Sequence, residues 1–374
     1  MEENGVNTES SQDIRLKEEK DDDKEDQIDE DVDDMLKEDT DEKEQSNISY
    51  SVQKIQIKIS GGRTGLDGKI EVLPPNQHEW GVICGDNWTL KEAIVACRHF
   101  GLGYGMQAAK TAYYGGKNQR KYFSSVRCKG TEKKLDKCSW EDHNGLIQCT
   151  RSDAVASIVC SKKLPDLQPS TYMVESTTFL QDRHMYYLTC AMEENCLAQS
   201  AYEIRKTSRN WRTSTRRLMR FSSVIKNIGT ADFIPKSRRE DWEWHACHMH
   251  YHSMEVFAHY DITDMNGNRV AEGLKASFCL EDSQCDSGVF PKYDCQHWGQ
   301  QGISVGCSDN YMADIDCQWI DITDLKPGSY HFKLEVNPNL LVPEITFENN
   351  GMNCDLYYSG YYARITNCKL RSLL

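Results

Sequence analysis

Alternation between apolar and polar residues first appears at Ile55, where the foldable part of the chain begins. The segments IQIKIS and KIEVL alternate with a period of two, which is typical of strands with one buried face, and GGRTGLDG between them supplies turn residues. The next segment, TLKEAIVACRHF, has apolar residues at helical spacing behind Thr89, a residue type that caps helices. This part of the chain therefore predicts strands and one helix.

The second half of the chain is rich in strand-like segments and poor in long helical periodicity. FKLEV, QWIDIT and MEVFAHYDIT all predict strands, and the stretches between them are long. We therefore expect a mainly β region with long loops. No run approaches the roughly 20 apolar residues that a transmembrane helix requires, so no membrane span is expected.

The charge of the chain is concentrated at its N-terminal end. The 374 residues carry 44 Lys and Arg against 58 Asp and Glu, a formal charge of −14, yet residues 1–44 alone hold 21 acidic and 6 basic side chains. The remainder is almost neutral. Residues 1–50 are predicted to form a disordered acidic tail, because this composition buries too little apolar surface to offset the entropy of ordering. Binding of a basic partner or of calcium is the alternative for this tail, and nucleic acid is not an expected partner.

The cysteines and the N-terminal sequence point to different compartments. All 16 cysteines lie between Cys84 and Cys368, and an even number suits a disulfide framework formed under oxidising conditions. The sequence MEENGVNTESSQD, by contrast, has neither the basic start nor the apolar stretch of a signal peptide. We expect an extracellular protein, although no signal peptide is visible.

Residues 51–161 form the first predicted domain, which is small and contains six cysteines. Its segments GKIEV, EWGVICGDNW, EAIVACRHFGLG, LDKCSW and the final IVC resemble a scavenger receptor cysteine-rich domain. The family usually has a Gly soon after Asp-Ala, where this chain has RSDAVASIVC. The resemblance implies a non-catalytic binding domain, in which the isolated His99 and His143 pack or face solvent. It also implies three disulfides, Cys84–Cys149, Cys97–Cys160 and Cys128–Cys138.

The most informative segment is DWEWHACHMHYHSMEVFAHYD, residues 241–261. Its three histidines, His248, His250 and His252, are two residues apart, and in a strand such positions project from one face. Three convergent imidazoles predict a metal site, and imidazole suits copper, zinc, iron or nickel. A solvated face with three histidines is the alternative. The same alternation sends His245 and Cys247 to the opposite face, and we expect His245 and His259 to be packing residues.

Residues 162–374 form the second predicted domain, which begins with a Pro-containing linker, SKKLPDLQPSTY at 161–172. Trp242 to Met254 match the copper-binding signature of the lysyl oxidases, and AMEENCLA, VAEGLKASFCLED, QGISVGCSDNY and DIDCQWIDITD resemble blocks of the same family. The resemblance implies that the three histidines bind Cu²⁺ and that Lys275 and Tyr311 form lysine tyrosylquinone. From the residues alone, Lys275 would be a surface lysine and Tyr311 a packing residue.

The resemblance also implies an activity, that of a copper-dependent protein-lysine 6-oxidase. Such an enzyme converts peptidyl lysine into allysine, uses O₂ and releases hydrogen peroxide and ammonia, which promotes cross-linking of collagen- or elastin-like matrix chains. A non-catalytic matrix-binding or scavenger-receptor-like protein with an inactive or immature oxidase domain is the alternative. An intracellular binding protein is a third hypothesis, which the thiol content disfavours. The general base is not identified, and His259, Asp261 and other acids are candidates.

The turn signal Asn266-Gly267 predicts a two-residue hairpin that pairs Lys275 with Ala258. Lys275 would then share the parity of the histidines but lie six residues beyond His252, roughly 20 Å away at about 3.3 Å per residue. We therefore expect a conformational step before the cofactor forms.

Further sites follow from the same resemblance. It implies a calcium site formed by Asp166, the Leu167 carbonyl, Glu344, Asn349 and Asn350, with Thr346 where the family has an acidic ligand. It also implies five disulfides in the second domain, namely Cys190–Cys247, Cys196–Cys317, Cys279–Cys295, Cys285–Cys307 and Cys354–Cys368.

Two weaker signals complete the analysis. Residues 205–220 hold seven basic side chains, for which we prefer a solvated loop to a glycosaminoglycan contact. Asn47 and Asn87 lie in glycosylation sequons. The predicted fold class is mainly β with few helices: a small disulfide-rich α+β scavenger receptor domain followed by a β-rich lysyl oxidase domain with long cross-linked loops.

Overall fold

The computed structural model describes residues 55–141, 147, 149–245, 249–276, 279–296 and 299–374, of which 272–276 are described by their backbone alone. Within these ranges the protein is mainly β, and four α-helices accompany the strands. The predicted fold class is confirmed. The acidic tail, His143, Cys247, His248 and Asn47 lie outside the described residues.

The first part of the fold is a seven-stranded sheet with one helix. Six strands run in the order β4-β7-β2-β3-β5-β6, and β1 pairs with β2 at its side. The strands are β1 (Gln56–Ser60), β2 (Asp67–Leu73), β3 (Gly81–Ile83), β4 (Tyr104–Ala109), β5 (Lys121–Arg127), β6 (Ser139–Glu141) and β7 (Ser157–Ser161).

Helix α1 (Leu90–His99) begins where its sequence predicts. Thr89 Oγ1 accepts a hydrogen bond from the Lys91 amide at 3.3 Å, and the Glu92 carboxylate accepts one from the Thr89 amide at 2.6 Å. This reciprocal pair satisfies amide groups that have no partner within the helix, which fixes its first turn. The two strands predicted on either side of GGRTGLDG are also confirmed, and they pair with Ile57 opposite Val72 and Ile59 opposite Ile70.

The second part of the fold consists of four sheets. Their strand orders are β18-β10-β9, β16-β17-β11-β8, β12-β13 and β15-β14-β19-β20-β21. The first two sheets contain β8 (Leu167–Pro169), β9 (Phe179–His184), β10 (Thr215–Arg220), β11 (Ser223–Asn227), β16 (Gln284–Cys285), β17 (Cys307–Tyr311) and β18 (Trp319–Asp321). The other two contain β12 (Glu243–His245), β13 (His250–His252), β14 (Ala258–Thr263), β15 (Arg269–Ala276), β19 (Gly328–Val336), β20 (Gly351–Tyr358) and β21 (Ala363–Arg371).

The helices of the second part are short. They are α2 (Thr171–Thr177), α3 (Thr189–Glu193) and α4 (Gln199–Thr207). Single 3₁₀ turns occur at Ala112–Tyr114, Leu135–Lys137, Met185–Leu188, Trp211–Thr213 and Arg239–Asp241.

The five-stranded sheet separates the core from a polar face. Tyr260 on β14, Phe332 on β19 and Met352 on β20 are fully buried in one hydrophobic cluster. The alternate residues on β14, His259 and Asp261, therefore project from the opposite face of the sheet.

The basic stretch at 205–220 is only in part the solvated loop that its composition suggests, since Arg209 and Arg212 are exposed. Its last part forms β10, where Arg216 and Arg220 are buried. Arg216 Nε lies 2.7 Å from Asp321 Oδ2, and Arg220 Nη1 donates to the Ala313 carbonyl at 2.6 Å. These two arginines are structural because their charges and donors are satisfied inside the protein.

Seven disulfides join described cysteines, and each coincides with a pair that the family resemblances imply. They are Cys84–Cys149, Cys97–Cys160, Cys128–Cys138, Cys196–Cys317, Cys279–Cys295, Cys285–Cys307 and Cys354–Cys368. Cys190 is disulfide-bonded as well, whereas its predicted partner Cys247 lies outside the described residues.

Candidate active site

The histidine segment forms a hairpin instead of one continuous strand. β12 pairs with β13 so that His245 lies opposite His250 and Glu243 lies opposite His252. Met249, in the turn between the two strands, has a positive φ of 57°, and its amide donates to the His245 carbonyl at 2.8 Å. The alternation of side chains expected of one continuous strand is therefore interrupted at this turn.

Because residues opposite each other in an antiparallel pair share one face, His245 lies on the same face as His250 and His252. The prediction that His245 projects from the other face is wrong. The His245 and His252 rings stack with centroids 3.8 Å apart, and the His250 and His252 centroids are 5.3 Å apart. Glu194, which follows α3, contacts the His245 ring. His250 and His252, the two described members of the predicted copper set, thus lie side by side, and the His245 ring stacks on His252.

Tyr311 ends β17 and is buried. Its hydroxyl donates to Asp309 Oδ2 at 2.6 Å and lies 3.4 Å from the Cys279 carbonyl. Burial, followed by the nearby Asp309 charge, raises the pKa of Tyr311 well above its usual value. Burial likewise raises the pKa of Asp309 to about 7, although hydrogen bonds from Tyr311 and Glu281 oppose this. At neutral pH the Tyr311 phenol therefore keeps its proton.

A cavity of about 470 Å³ connects the two predicted catalytic elements. His250 and Met249 line it from the hairpin, and Tyr311 and Asp309 line it from β17. Glu281 adds a further carboxylate to the wall. The structure therefore brings one predicted copper ligand and the predicted quinone tyrosine to the same space, which is large enough for a lysine side chain.

The register of β15 differs from the prediction at Lys275. A register shift between His259 and Asp261 pairs Lys275 with His259, and Ala258 pairs with Ala276. The turn differs too, since the Gly267 amide donates to the Asp264 carbonyl at 3.0 Å and the Asp264 amide to Asn268 at 2.8 Å, which leaves three residues in the loop. The Lys275 side chain lies outside the described part of the chain.

The residues of the predicted calcium site also converge. Glu344 Oε1 accepts hydrogen bonds at 2.8 Å from Asn337 and from Asn350, and Asn349 donates to Asp166 Oδ1 at 2.9 Å. The side-chain oxygens of Asn349 and Asn350 are buried without a hydrogen-bond partner among the described residues. Burial raises the pKa of Glu344 to about 8.

Buried oxygen atoms of this kind are the ligands that Ca²⁺ takes, so the donor set at Glu344 fits the ion. Thr346, which stands where the family has an acidic ligand, uses its hydroxyl to accept a hydrogen bond from the Glu348 amide at 3.1 Å.

Comparison with protein families gives two matches in the predicted order. The model of the scavenger receptor cysteine-rich domain matches residues 60–161, and the lysyl oxidase model matches residues 165–368, more than half of the chain. The chain belongs to the lysyl oxidase family.

Curated relatives agree with this assignment. Lysyl oxidase homolog 3 from Homo sapiens is 47% identical over 330 residues, which cover 87% of this chain and 43% of the relative. Lysyl oxidase homolog 2A from Danio rerio is 47% identical over 322 residues, covering 84% of this chain and 43% of the relative. The chain thus spans less than half the length of these relatives. The third scavenger receptor domain of murine neurotrypsin, a solved structure, is 34% identical, with a TM-score of 0.25 and coverage of 28% of this chain and 95% of that domain.

The two candidate bases of this lysyl oxidase family member do not face Tyr311. His259 Nε2 lies 3.1 Å from Asp261 Oδ1, and Arg269 Nε lies 3.0 Å from the same oxygen. These side chains occupy the polar face of the sheet, opposite Tyr260, which is buried in one cluster with Tyr311. The described carboxylate in contact with the Tyr311 phenol is Asp309, which the sequence analysis did not single out. The sequence signal for Asp309 was its position two residues before Tyr311, because residues two apart share one face of a strand.

The remaining predicted positions have plainer surroundings. The His99 ring accepts a hydrogen bond from the Leu135 amide at 3.1 Å, as expected of a packing residue. Asn87 is exposed, and its side-chain amide donates to Ser125 Oγ at 3.3 Å. Among the described residues, no helix is long and apolar enough to span a membrane.

Proposed function

We propose that the protein is a copper-dependent protein-lysine 6-oxidase, which converts peptidyl lysine into allysine with release of hydrogen peroxide and ammonia. The observation that carries the proposal is the cavity shared by His250 and Tyr311. Family membership supports the same activity. The proposed substrates are lysines of collagen- or elastin-like matrix chains, with O₂ as the second substrate.

His248, His250 and His252 would hold the copper. The described part of this set fits a transition metal, because two neighbouring imidazoles share one face of a hairpin and His252 is 5% exposed. Bound copper would supply the oxygen-dependent redox chemistry that turns Tyr311 and Lys275 into lysine tyrosylquinone, the group that takes electrons from the substrate amine.

The protein contributes position and shielding to this chemistry. Asp309 and the Cys279 carbonyl fix the Tyr311 hydroxyl, and Phe257 packs beside its ring with centroids 5.9 Å apart. Burial of Tyr311 keeps bulk water from its ring, which favours one reaction over competing ones. We further propose that Lys275 reaches this ring after a conformational step.

Three supporting features belong to the same proposal. Asp166, the Leu167 carbonyl, Glu344, Asn349 and Asn350 would bind structural Ca²⁺. The disulfide content suits an oxidising, extracellular environment, in which Asn87 is accessible for glycosylation. Residues 51–161 would serve as a binding domain beside the catalytic residues 162–374.

The test uses the copper-loaded protein and a lysine-containing peptide, with release of hydrogen peroxide as the measurement. Tyr311→Phe should reduce release to the level without enzyme and remove the quinone absorbance, because the ring loses the oxygen that becomes part of the quinone. Tyr293→Phe is the matched control, since Tyr293 also donates to a carboxylate, Asp232, at 3.0 Å but does not line the cavity. Absence of peroxide from the wild-type protein with bound copper and a formed quinone would favour the non-catalytic alternative.

A further inference from the structure

Asp309 and Tyr311 form the closest polar contact at the wall of the catalytic cavity. They occupy alternate positions of β17 and therefore project from the same face of the strand. The phenol oxygen of Tyr311 lies 2.6 Å from Asp309 Oδ2, which is short enough for direct proton transfer. Both side chains are buried, with Asp309 2% exposed and Tyr311 4% exposed.

The groups that hold Asp309 in place are neutral. Besides the phenol, its carboxylate accepts hydrogen bonds from the Glu281 amide at 3.1 Å and from the Ser283 hydroxyl at 3.3 Å. Burial raises the pKa of Asp309 to about 7, and the nearby Glu281 carboxylate adds to this effect. A carboxyl group with such a pKa both takes and returns a proton readily near neutral pH.

The other described acids near the site have different partners. Glu281 lines the same cavity, but its Oε2 accepts a hydrogen bond from the Cys295 amide at 3.3 Å. Asp261 projects from the polar face of the five-stranded sheet, beside Arg269. Among the described carboxylates, the geometry thus singles out Asp309 as the acceptor for the Tyr311 proton.

We propose that Asp309 is the catalytic base that removes the phenolic proton of Tyr311 when this residue is converted into the quinone. The O–H bond of Tyr311 breaks, the proton moves to Asp309 Oδ2, and the bonding electrons stay on the phenolic oxygen. The resulting electron-rich ring is easier to oxidise, and the oxidant is O₂ with bound copper, as in the proposed function. This inference rests on that function, because it concerns formation of the same cofactor.

The test follows formation of the cross-link between Lys275 and Tyr311 by mass spectrometry after copper is added to metal-free protein. In Asp309→Asn, an amide of nearly the same shape replaces the base, so the rate should fall at least about 100-fold, the lower range for loss of general-base catalysis. The amount of bound copper should not change. Asp232→Asn is the matched control and should cross-link at close to the wild-type rate, because Asp232 accepts a hydrogen bond from the Tyr293 hydroxyl at 3.0 Å but does not line the cavity.

A wild-type rate in Asp309→Asn would overturn this inference and leave the proposed function intact. Failure of the wild-type protein to form any cross-link would instead overturn the proposed function, and this inference with it.

The pH dependence of cross-linking in the wild-type protein provides a second measurement that needs no substitution. At saturating copper, the rate should fall as the pH drops below about 7, because Asp309 becomes protonated and cannot accept a proton. Among the described residues, the titratable groups around Asp309 are Glu281, Tyr260, Tyr311 and, across the cavity, His250. The profile should keep its shape in Asp232→Asn, which changes no group in the cavity, and a rate independent of pH between 5 and 8 would overturn the inference.

Discussion

A buried carboxylate of the scavenger receptor domain and two of the lysyl oxidase domain differ in what controls their protonation. In the scavenger receptor half, Glu71 is 6% exposed, and Lys58 and Lys69 lie 3.2 and 3.1 Å from its oxygens. Burial favours protonation of Glu71, yet hydrogen bonds from Gln119 and the two lysines outweigh it and lower its pKa to about 2. In the oxidase half, burial dominates at Asp309 and Glu344 and raises their pKa values to about 7 and 8.

The difference separates structural charges from candidate functional ones. A buried carboxylate beside a cation can remain charged in the folded protein, because the neighbouring positive charge compensates its own. At Asp309 and Glu344 burial instead outweighs the hydrogen bonds from neutral donors, and such a site gains by binding a cation or exchanging a proton.

The largest effect on folding is expected at Asp321, a compensated carboxylate in the oxidase half. Its Oδ2 lies 2.7 Å from Arg216 Nε, and both side chains are 1% exposed. Asp321→Ala leaves the Arg216 charge buried without its partner, so the free energy of unfolding should fall by about 3–5 kcal/mol in denaturant titrations. Asp324→Ala is the control, because Asp324 contacts the same arginine at 3.5 Å but is 61% exposed. Equal losses of unfolding free energy in the two variants would show that burial of the carboxylate does not decide how much it stabilises the fold.

Local patterns could be predicted from the sequence, whereas irregular backbone could not. Helix α1 and the strands β1 and β2 follow from a capping residue and from alternation within a few residues. The histidine hairpin was missed because its turn uses Met249 with a positive φ, where no Gly or Asn gave a signal. The register at Lys275 was missed because it depends on an irregularity between His259 and Asp261. The position of Asp309 two residues before Tyr311 was visible in the sequence, whereas its contacts with Glu281 and Ser283 join segments that are distant along the chain.

A smaller effect is expected when calcium is added at Glu344. If the uncompensated carboxylate belongs to a cation site, Ca²⁺ at one hundred times its Kd should add about 2.7 kcal/mol to the free energy of unfolding. The gain should vanish in Glu344→Ala, because the buried carboxylate that would bind the ion is removed, and it should persist in Glu348→Ala, whose side chain is exposed on the same loop. The measurement is the midpoint of thermal unfolding with and without Ca²⁺. An equal gain in stability in both variants would mean that calcium binds at another site.

The smallest effect concerns Asp67 in the scavenger receptor half. Hydrogen bonds from the Thr64 hydroxyl and amide lower the pKa of Asp67 to about 2. Since its pKa is lower in the folded than in the unfolded chain, Asp67 stabilises the fold above about pH 4, and this contribution is lost as the pH falls towards 2. Asp67→Asn should therefore cost about 1 kcal/mol at neutral pH, and its loss of stability between pH 4 and 2 should be shallower than in the wild-type protein.

The effect of Asp67 on the scavenger receptor domain can be measured separately by amide hydrogen exchange of β1 and β2. Asp153→Asn, which replaces a carboxylate that is 43% exposed beside Arg151, should leave the acid dependence of that exchange unchanged. If Asp67→Asn also leaves it unchanged, hydrogen bonds to Asp67 do not stabilise the fold, and the contrast between the two halves would rest on Glu71 alone.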